Sequence, residues 1–130
     1  MLSARLRFSV ALVLALLLAG CAAHVPVRSA NLLPLTALAP DLEFDASWPI
    51  RLSTGYTRDV PARSQWRAAG MLPQGTVYRP LNTVFAIEGR QVHEAWLVVQ
   101  AGALQGFYLP AENNFSPLSP PLSLPKGATR

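Results

Sequence analysis

Residues 92–100, VHEAWLVVQ, constrain the fold more than any other stretch of the chain. In an extended strand successive side chains alternate between faces, so Trp96 and Val98 point one way and Leu97 and Val99 the other. Both faces are therefore apolar at the centre. Such a strand must be covered on both sides, which places it inside a sheet and not at an edge. Its surroundings read as strands too. Residues 83–88 (TVFAIE) are strand-like, Gly89-Arg90 turns, Ala101-Gly102-Ala103 turns again, and residues 104–109 (LQGFYL) return. A three-stranded antiparallel meander follows. Gly106, inside the last strand, predicts a bulge that lets the sheet curl.

Upstream, residues 41–45 alternate polar and apolar, as a short edge strand does. Leu72-Pro73-Gln74-Gly75 carries Pro at the second and Gly at the fourth position of a turn, so residues 65–71 and 76–79 read as a hairpin. A helix over 60–69 competes, with Asp59 as N-cap, Pro61 in the first turn and Gly70 as stop. The hairpin is favoured because its turn is well formed and Trp66 then faces a sheet neighbour. The expected fold is all-β: a small antiparallel meander or SH3-like rolled barrel over residues 41–115. A core of that size supplies only about 3–5 kcal/mol. Ten aromatic residues from Phe44 to Phe115 must carry much of it. Self-association or a partner is an expected further source of stability.

The twelve prolines punctuate both flanks. Residues 21–40 contain Pro26, Pro34 and Pro40 and show no clean period, so they read as a linker that could hold the domain tens of ångströms from an anchor. Leu32-Leu33-Pro34-Leu35 is its apolar exception, either docked on the domain or resting at a membrane. Residues 116–130 read as a proline-rich tail of polyproline or irregular extended chain, with Leu118, Leu122 and Leu124 packing along the domain or the tail disordered. Pro117-Leu118-Ser119-Pro120 matches PxxP, a pattern common by chance.

Residues 1–20 differ from everything after them. Arg5 and Arg7 precede an almost unbroken apolar run from Phe8 to Leu18, interrupted by Ser9, and fifteen of the twenty residues are hydrophobic. A basic start and about ten apolar residues have the layout of a secretory signal peptide, too short to span a bilayer; the bland alternative, a buried core helix, would not begin with Arg-x-Arg. Leu18-Ala19-Gly20-Cys21 resembles the lipobox of bacterial lipoproteins: an aliphatic residue, two small residues, then cysteine. The resemblance implies a diacylglyceryl group on the Cys21 thiol and cleavage between Gly20 and Cys21. The bland reading of Cys21 is a free or buried thiol, but it is the chain's one cysteine and stands at the cleavage position. Two or more acyl chains make membrane attachment stable. Ala22 and Ala23 lack the aspartate that retains enteric lipoproteins at the inner membrane, so the resemblance implies an outer-membrane, periplasm-facing location, with the inner membrane as the other destination.

Charge then loses its meaning as a clue. The chain has eleven basic and seven acidic residues, net +4. Loss of Arg5 and Arg7 with the leader leaves nine against seven, net +2, and the remaining arginines are scattered singly. Nucleic acid is not an expected partner. One cysteine excludes an internal disulfide, a Cys-rich zinc site and a CxxC pair. The catalytic inventory is thin. His24 lies in the linker, and His93 and Glu94 are strand neighbours that point apart. Across the hairpin Glu88 is placed opposite Val92 or His93, which offers an acid–His pair or, on the bland reading, a cross-strand surface pair. No HExxH, GxSxG or GxxxxGK occurs. The reading is a non-enzyme without cofactor or metal: a lipid-anchored envelope accessory or scaffold that contacts a protein partner. The alternative is a binding module for peptidoglycan, another glycan or a small apolar molecule, with Trp48, Tyr56 and Tyr108 as candidate contacts. A concave aromatic cleft would favour the ligand; a flat apolar patch or bare strand edge would favour the protein partner.

Overall fold

The computed structural model describes residues 23–128, and the regular structure among them is all strand. The expected signal helix over 1–20 and the expected lipidation position Cys21 lie outside the described residues. In chain order the strands are β1 (Arg28–Ser29), β2 (Leu42–Glu43), β3 (Trp48–Arg51), β4 (Thr57–Val60), β5 (Gln65–Leu72), β6 (Gly75–Pro80), β7 (Ala86–Glu88), β8 (Val92–Glu94), β9 (Trp96–Gln100), β10 (Ala103–Leu109) and β11 (Asn114–Ser123). Seven form one antiparallel sheet in the order β1-β11-β10-β9-β6-β5-β2, while β3–β4 and β7–β8 are separate hairpins.

β9 lies between β10 and β6, as its two apolar faces demand. Leu97 and Val99 join the main core with Phe44, Ile50, Val60, Trp66, Phe85, Ile87 and Phe107. Trp96 and Val98 join a second cluster with Leu72, Val77, Tyr108 and Phe115. The two hairpins contribute Ile50, Val60 and Ile87 to the main core, so they cover that face. Trp66 is fully buried there, edge-on to Phe44 and Phe85 at 6.4 and 5.4 Å, with its indole N–H donating to the Ser64 hydroxyl at 3.0 Å.

The turn at 72–75 forms as its residues predict, with Leu72 opposite Gly75 and β5 paired to β6. The helix considered for 60–69 is not formed, because Gln65 already begins β5. Ala101 and Gly102, both at positive φ, make the two-residue β9–β10 turn. At Gly106 the register shifts against both neighbouring strands, which is the expected bulge. A Cβ there would run into the Ser116 carbonyl and the Phe115 ring.

Three sequence expectations need correction. First, the strand read over 92–100 divides at Ala95. Its polar half, β8, pairs with β7 in a rim hairpin that exposes one face, and its apolar half enters the main sheet. Ala95 is fully buried at the joint, and its amide donates to the Phe85 carbonyl at 3.0 Å. Second, the proline-rich tail read over 116–130 is, as far as Ser123, a sheet strand in place of polyproline or irregular chain, while the packing expected of its leucines is seen. β11 is the longest strand and pairs with β10, and Leu118 is buried in the main core with Leu122 and Leu124 against it. Between Pro117 opposite Gly106 and Leu122 opposite Leu104, four residues bulge out. Pro120 and Pro121 sit in that bulge, where ladder amides are not required, and the Ser119–Pro120 bond is cis. Third, the segment over 21–40 is no free linker in its described part. Val25 is buried in the main core, β1 pairs with β11, and Leu33 and Met71 exchange backbone hydrogen bonds of 2.9 and 2.8 Å. Of the apolar exception, Leu32 packs on the second cluster while Leu33 stays exposed.

The sheet curls without strand-to-strand closure, since β1 and β2 stand at opposite ends of its order. The segment after β11 bridges the gap: Leu124 donates its amide to the Gly102 carbonyl at 3.0 Å, and the Ala128 carbonyl accepts from Glu43 of β2 at 2.8 Å. The core therefore draws on the chain from Val25 to Ala128, well beyond the expected 41–115. That extension weakens the argument that a small core requires self-association.

Candidate functional site

The rolled sheet has an open end where the β5–β6 and β9–β10 turns meet the segment after β11. There the strands leave a groove of about 630 Å³. Leu42, Leu72 and Tyr78 form its buried wall, Met71, Val99 and Leu124 its half-buried sides, and Gln100 to Gly102 and residues 125–128 its rims. Each wall has a local cause. The tight 72–75 and 100–103 turns end their hairpins at the same level, because Val99 pairs with Thr76. The terminal segment, held by Gly102 and Glu43, supplies the third side.

The groove is poor in charge. Lys126 is the one charged residue of its lining. At the Tyr78 side, burial and then the negative charge of Asp41 hold the phenol above its ordinary pKa. Asp41 also receives a bidentate pair of hydrogen bonds from Arg67 at 3.3 and 3.2 Å, and this contact holds the guanidinium above its ordinary value. A lining of aliphatic side chains, main chain and one phenol, with Thr76, Gln100 and Lys126 as its polar side chains, takes an apolar segment by shape and offers hydrogen-bonding groups beside it.

The three candidate aromatics do not converge. Trp48 is half-buried and stacks on Phe44 at 5.5 Å, beside a hollow of about 130 Å³ shared with Lys126. Tyr56 is exposed where the β3–β4 turn enters β4, with its carbonyl accepting from the Leu52 amide. Tyr108 is buried in the second cluster against Trp96, and its hydroxyl donates to Asn113 Oδ1 at 2.7 Å. Cys21 and Gly20 precede the described residues.

Of the two positions read across from Glu88, the hairpin uses Val92, and the acid beside His93 is a different one. Glu88 lies opposite Val92, whereas His93 Nδ1 meets Glu112 Oε1 at 2.8 Å. Glu112 had no local signal in the sequence: Tyr108 opposite Trp96 carries the next turn to the level of His93, a register that only strand pairing fixes. His24 accepts from the Arg90 guanidinium at 2.9 Å through Nε2. Among the described residues no three His, Cys, Asp or Glu side chains gather as a metal site, and no helix is long and apolar enough to cross a membrane. The groove itself was missed in the sequence, because its walls come from four separated segments. Comparison with known proteins finds no family model, no curated protein and no solved structure that matches this chain.

Proposed function

We propose that the protein is a lipid-anchored envelope lipoprotein, directed to the outer membrane, whose β module is a non-enzymatic accessory that docks a protein partner in the groove. The anchor rests on the Leu18-Ala19-Gly20-Cys21 motif behind a basic and apolar leader. The observation that carries the partner reading is the groove itself, open, poor in charge, with an aliphatic floor and main-chain borders. Such a surface suits an apolar peptide segment, whereas a sugar calls for a stacking platform that Trp48, Tyr56 and Tyr108 do not assemble. A second reading, a small apolar ligand, is favoured by the groove's volume, which lies within the roughly 300–1,000 Å³ of small-molecule sites.

The test is a photo-crosslinking residue at Thr76 or Gln100 in cells. A discrete protein adduct, lost when the probe is moved to exposed Tyr56, supports the accessory reading. Recovery of peptidoglycan alone from the groove probes would sink it. The anchor is tested separately: Cys21→Ser should leave an unprocessed precursor without lipid label, and a normally sized soluble periplasmic product would refute the lipobox.

A further inference from the structure

Leu38 is the most exposed large apolar side chain among the described residues, at 102%, and Leu33 stands 58% exposed in the same loop. Residues 33–40, LPLTALAP, carry no charge, and all but Leu35 and Ala39 are exposed. Single exposed leucines are ordinary, but this loop is fixed to the rim of the groove at both ends. At its start Leu33 and Met71 exchange backbone hydrogen bonds of 2.9 and 2.8 Å, and the Thr36 hydroxyl donates to Met71 Sδ at 3.5 Å. At its end Pro40 lines the groove, as Met71 does. Pro34 and Pro40 fix φ at two positions and narrow the loop's freedom. Two residues of chain reach at most about 7 Å, so the backbone of Leu38 lies within that distance of the rim at Pro40.

A protruding apolar loop therefore stands directly beside a concave groove with an aliphatic floor, and the surface is complementary to itself. Two copies turned face to face about a twofold axis between loop and groove place the loop of each over the groove of the other. Such a contact closes as a dimer. A flat lipid surface would meet the loop and leave the groove empty. Charge agrees, since the loop brings none. Asp41 beside it is already paired with Arg67. Lys126, the one charged residue of the groove lining, also borders the hollow lined by Glu43 and Asp45, and a lysine keeps its head in water while its stem covers apolar surface. Size agrees as well. Seventeen residues line the groove, and residues 33–39 add seven more. That footprint falls within the roughly 20–30 residues a side of a stable protein interface.

We propose that the occupant of the groove is a second copy of this chain, each copy seating the Leu38 loop of the other in a symmetric dimer. The proposal rests on the reading of the groove as a protein-docking surface and names the partner. Self-association then follows from the shape of one surface and not from a shortage of core.

Paired single-cysteine variants of the full chain test it in cells. Two copies with different epitope tags are co-expressed, one carrying L38C and the other Q100C or T76C. The two positions are on separate chains, so a disulfide that joins both tags reports a contact between copies. Leu38 is fully exposed, so its replacement leaves the core intact. Copies that keep only Cys21 give the background, and L38C with Y56C is the control, because Tyr56 is exposed outside the groove. A mixed-tag disulfide several-fold above both is expected from the groove positions. Background yield from Q100C and T76C alike, or an equal yield from Y56C, overturns the dimer. A photo-crosslinking residue at Thr76 separates the two claims. An adduct of twice the chain's mass that falls several-fold with Leu38→Asp supports the second copy. An adduct to a different protein without the mixed-tag disulfide overturns the second copy and leaves the docking reading standing, whereas the absence of any protein adduct overturns both.

Discussion

Glu43 donates its backbone amide to the carbonyl of Ala128 at 2.8 Å. One residue belongs to the edge strand β2 and the other to the segment beyond β11, so this bond joins the two ends of the curled sheet. Ala128 is 3% exposed and Leu42, next to Glu43, 1%. Removal of residues 124–130 should uncover Leu42 and lose the packing of Leu124 and Ala128. At roughly 1.5–3 kcal/mol per fully buried aliphatic side chain, with Leu124 only half-buried, the cost is about 2–3 kcal/mol. Urea unfolding of the truncated chain measures it. An unchanged midpoint would show that the segment is an appendage.

Gly106 and Gly102 both have positive φ, +156° and +73°, but different surroundings. Gly106→Ala forces a Cβ into the Ser116 carbonyl and should cost about 2–4 kcal/mol, since strain and steric conflict add. Gly102→Ala meets nothing within 4 Å and should cost about 1–2 kcal/mol from backbone conformation alone. Equal losses in parallel denaturation curves would contradict the assigned cause.

Trp66→Phe should be more damaging than its volume change suggests. It leaves a gap between Phe44 and Phe85 and removes the donor to Ser64, whose side chain is almost fully buried. A loss of about 2–3 kcal/mol is expected. Trp66→Phe combined with Ser64→Ala should recover part of it, because the abandoned hydroxyl is then gone. The double-mutant cycle is read from unfolding midpoints, and strict additivity would remove the hydrogen bond from the account.

The Tyr78 phenol makes stability fall at high pH. Its folded pKa is raised by burial and by Asp41, so above about pH 10 the unfolded chain loses this proton while the native state keeps it. The unfolded state then binds fewer protons, and stability falls as pH rises through the folded pKa. Below about pH 10 the contribution is fully present. Tyr78→Phe should flatten the alkaline limb of a stability–pH curve measured by urea unfolding. A variant curve that falls as steeply as the native one would shift the cause to other groups.

Some of this was legible in local pattern. The alternating Trp96, Leu97, Val98 and Val99 can only be satisfied inside a sheet, and β9 lies there. Pro73 and Gly75 specify a turn that strand pairing then uses, and Gly106 marks the bulge because neighbouring backbone leaves no room for a Cβ. These features depend on each residue's own conformational freedom and on the two faces of one strand.

The proline-rich stretch was misleading for a physical reason. Proline forbids a strand only where its missing amide is needed, and β11 places Pro120 and Pro121 in a bulge. The groove was equally hidden, since Leu42, Tyr78, Val99 and Leu124 belong to strands or segments whose proximity follows from sheet order. The pairing of His93 with Glu112, not Glu88, likewise depends on the register of β9 against β10.

By itself the sequence determined an all-β chain, because hydrophobic alternation and turn chemistry are properties of neighbouring residues. Only the tertiary structure decided that the two proline-marked flanks belong to the fold, that the candidate aromatics stay apart, and that Ala23 is pinned to Arg90. Those outcomes turn on which distant backbone groups find partners and which apolar side chains find cover. No window of sequence contains both halves of such a contact.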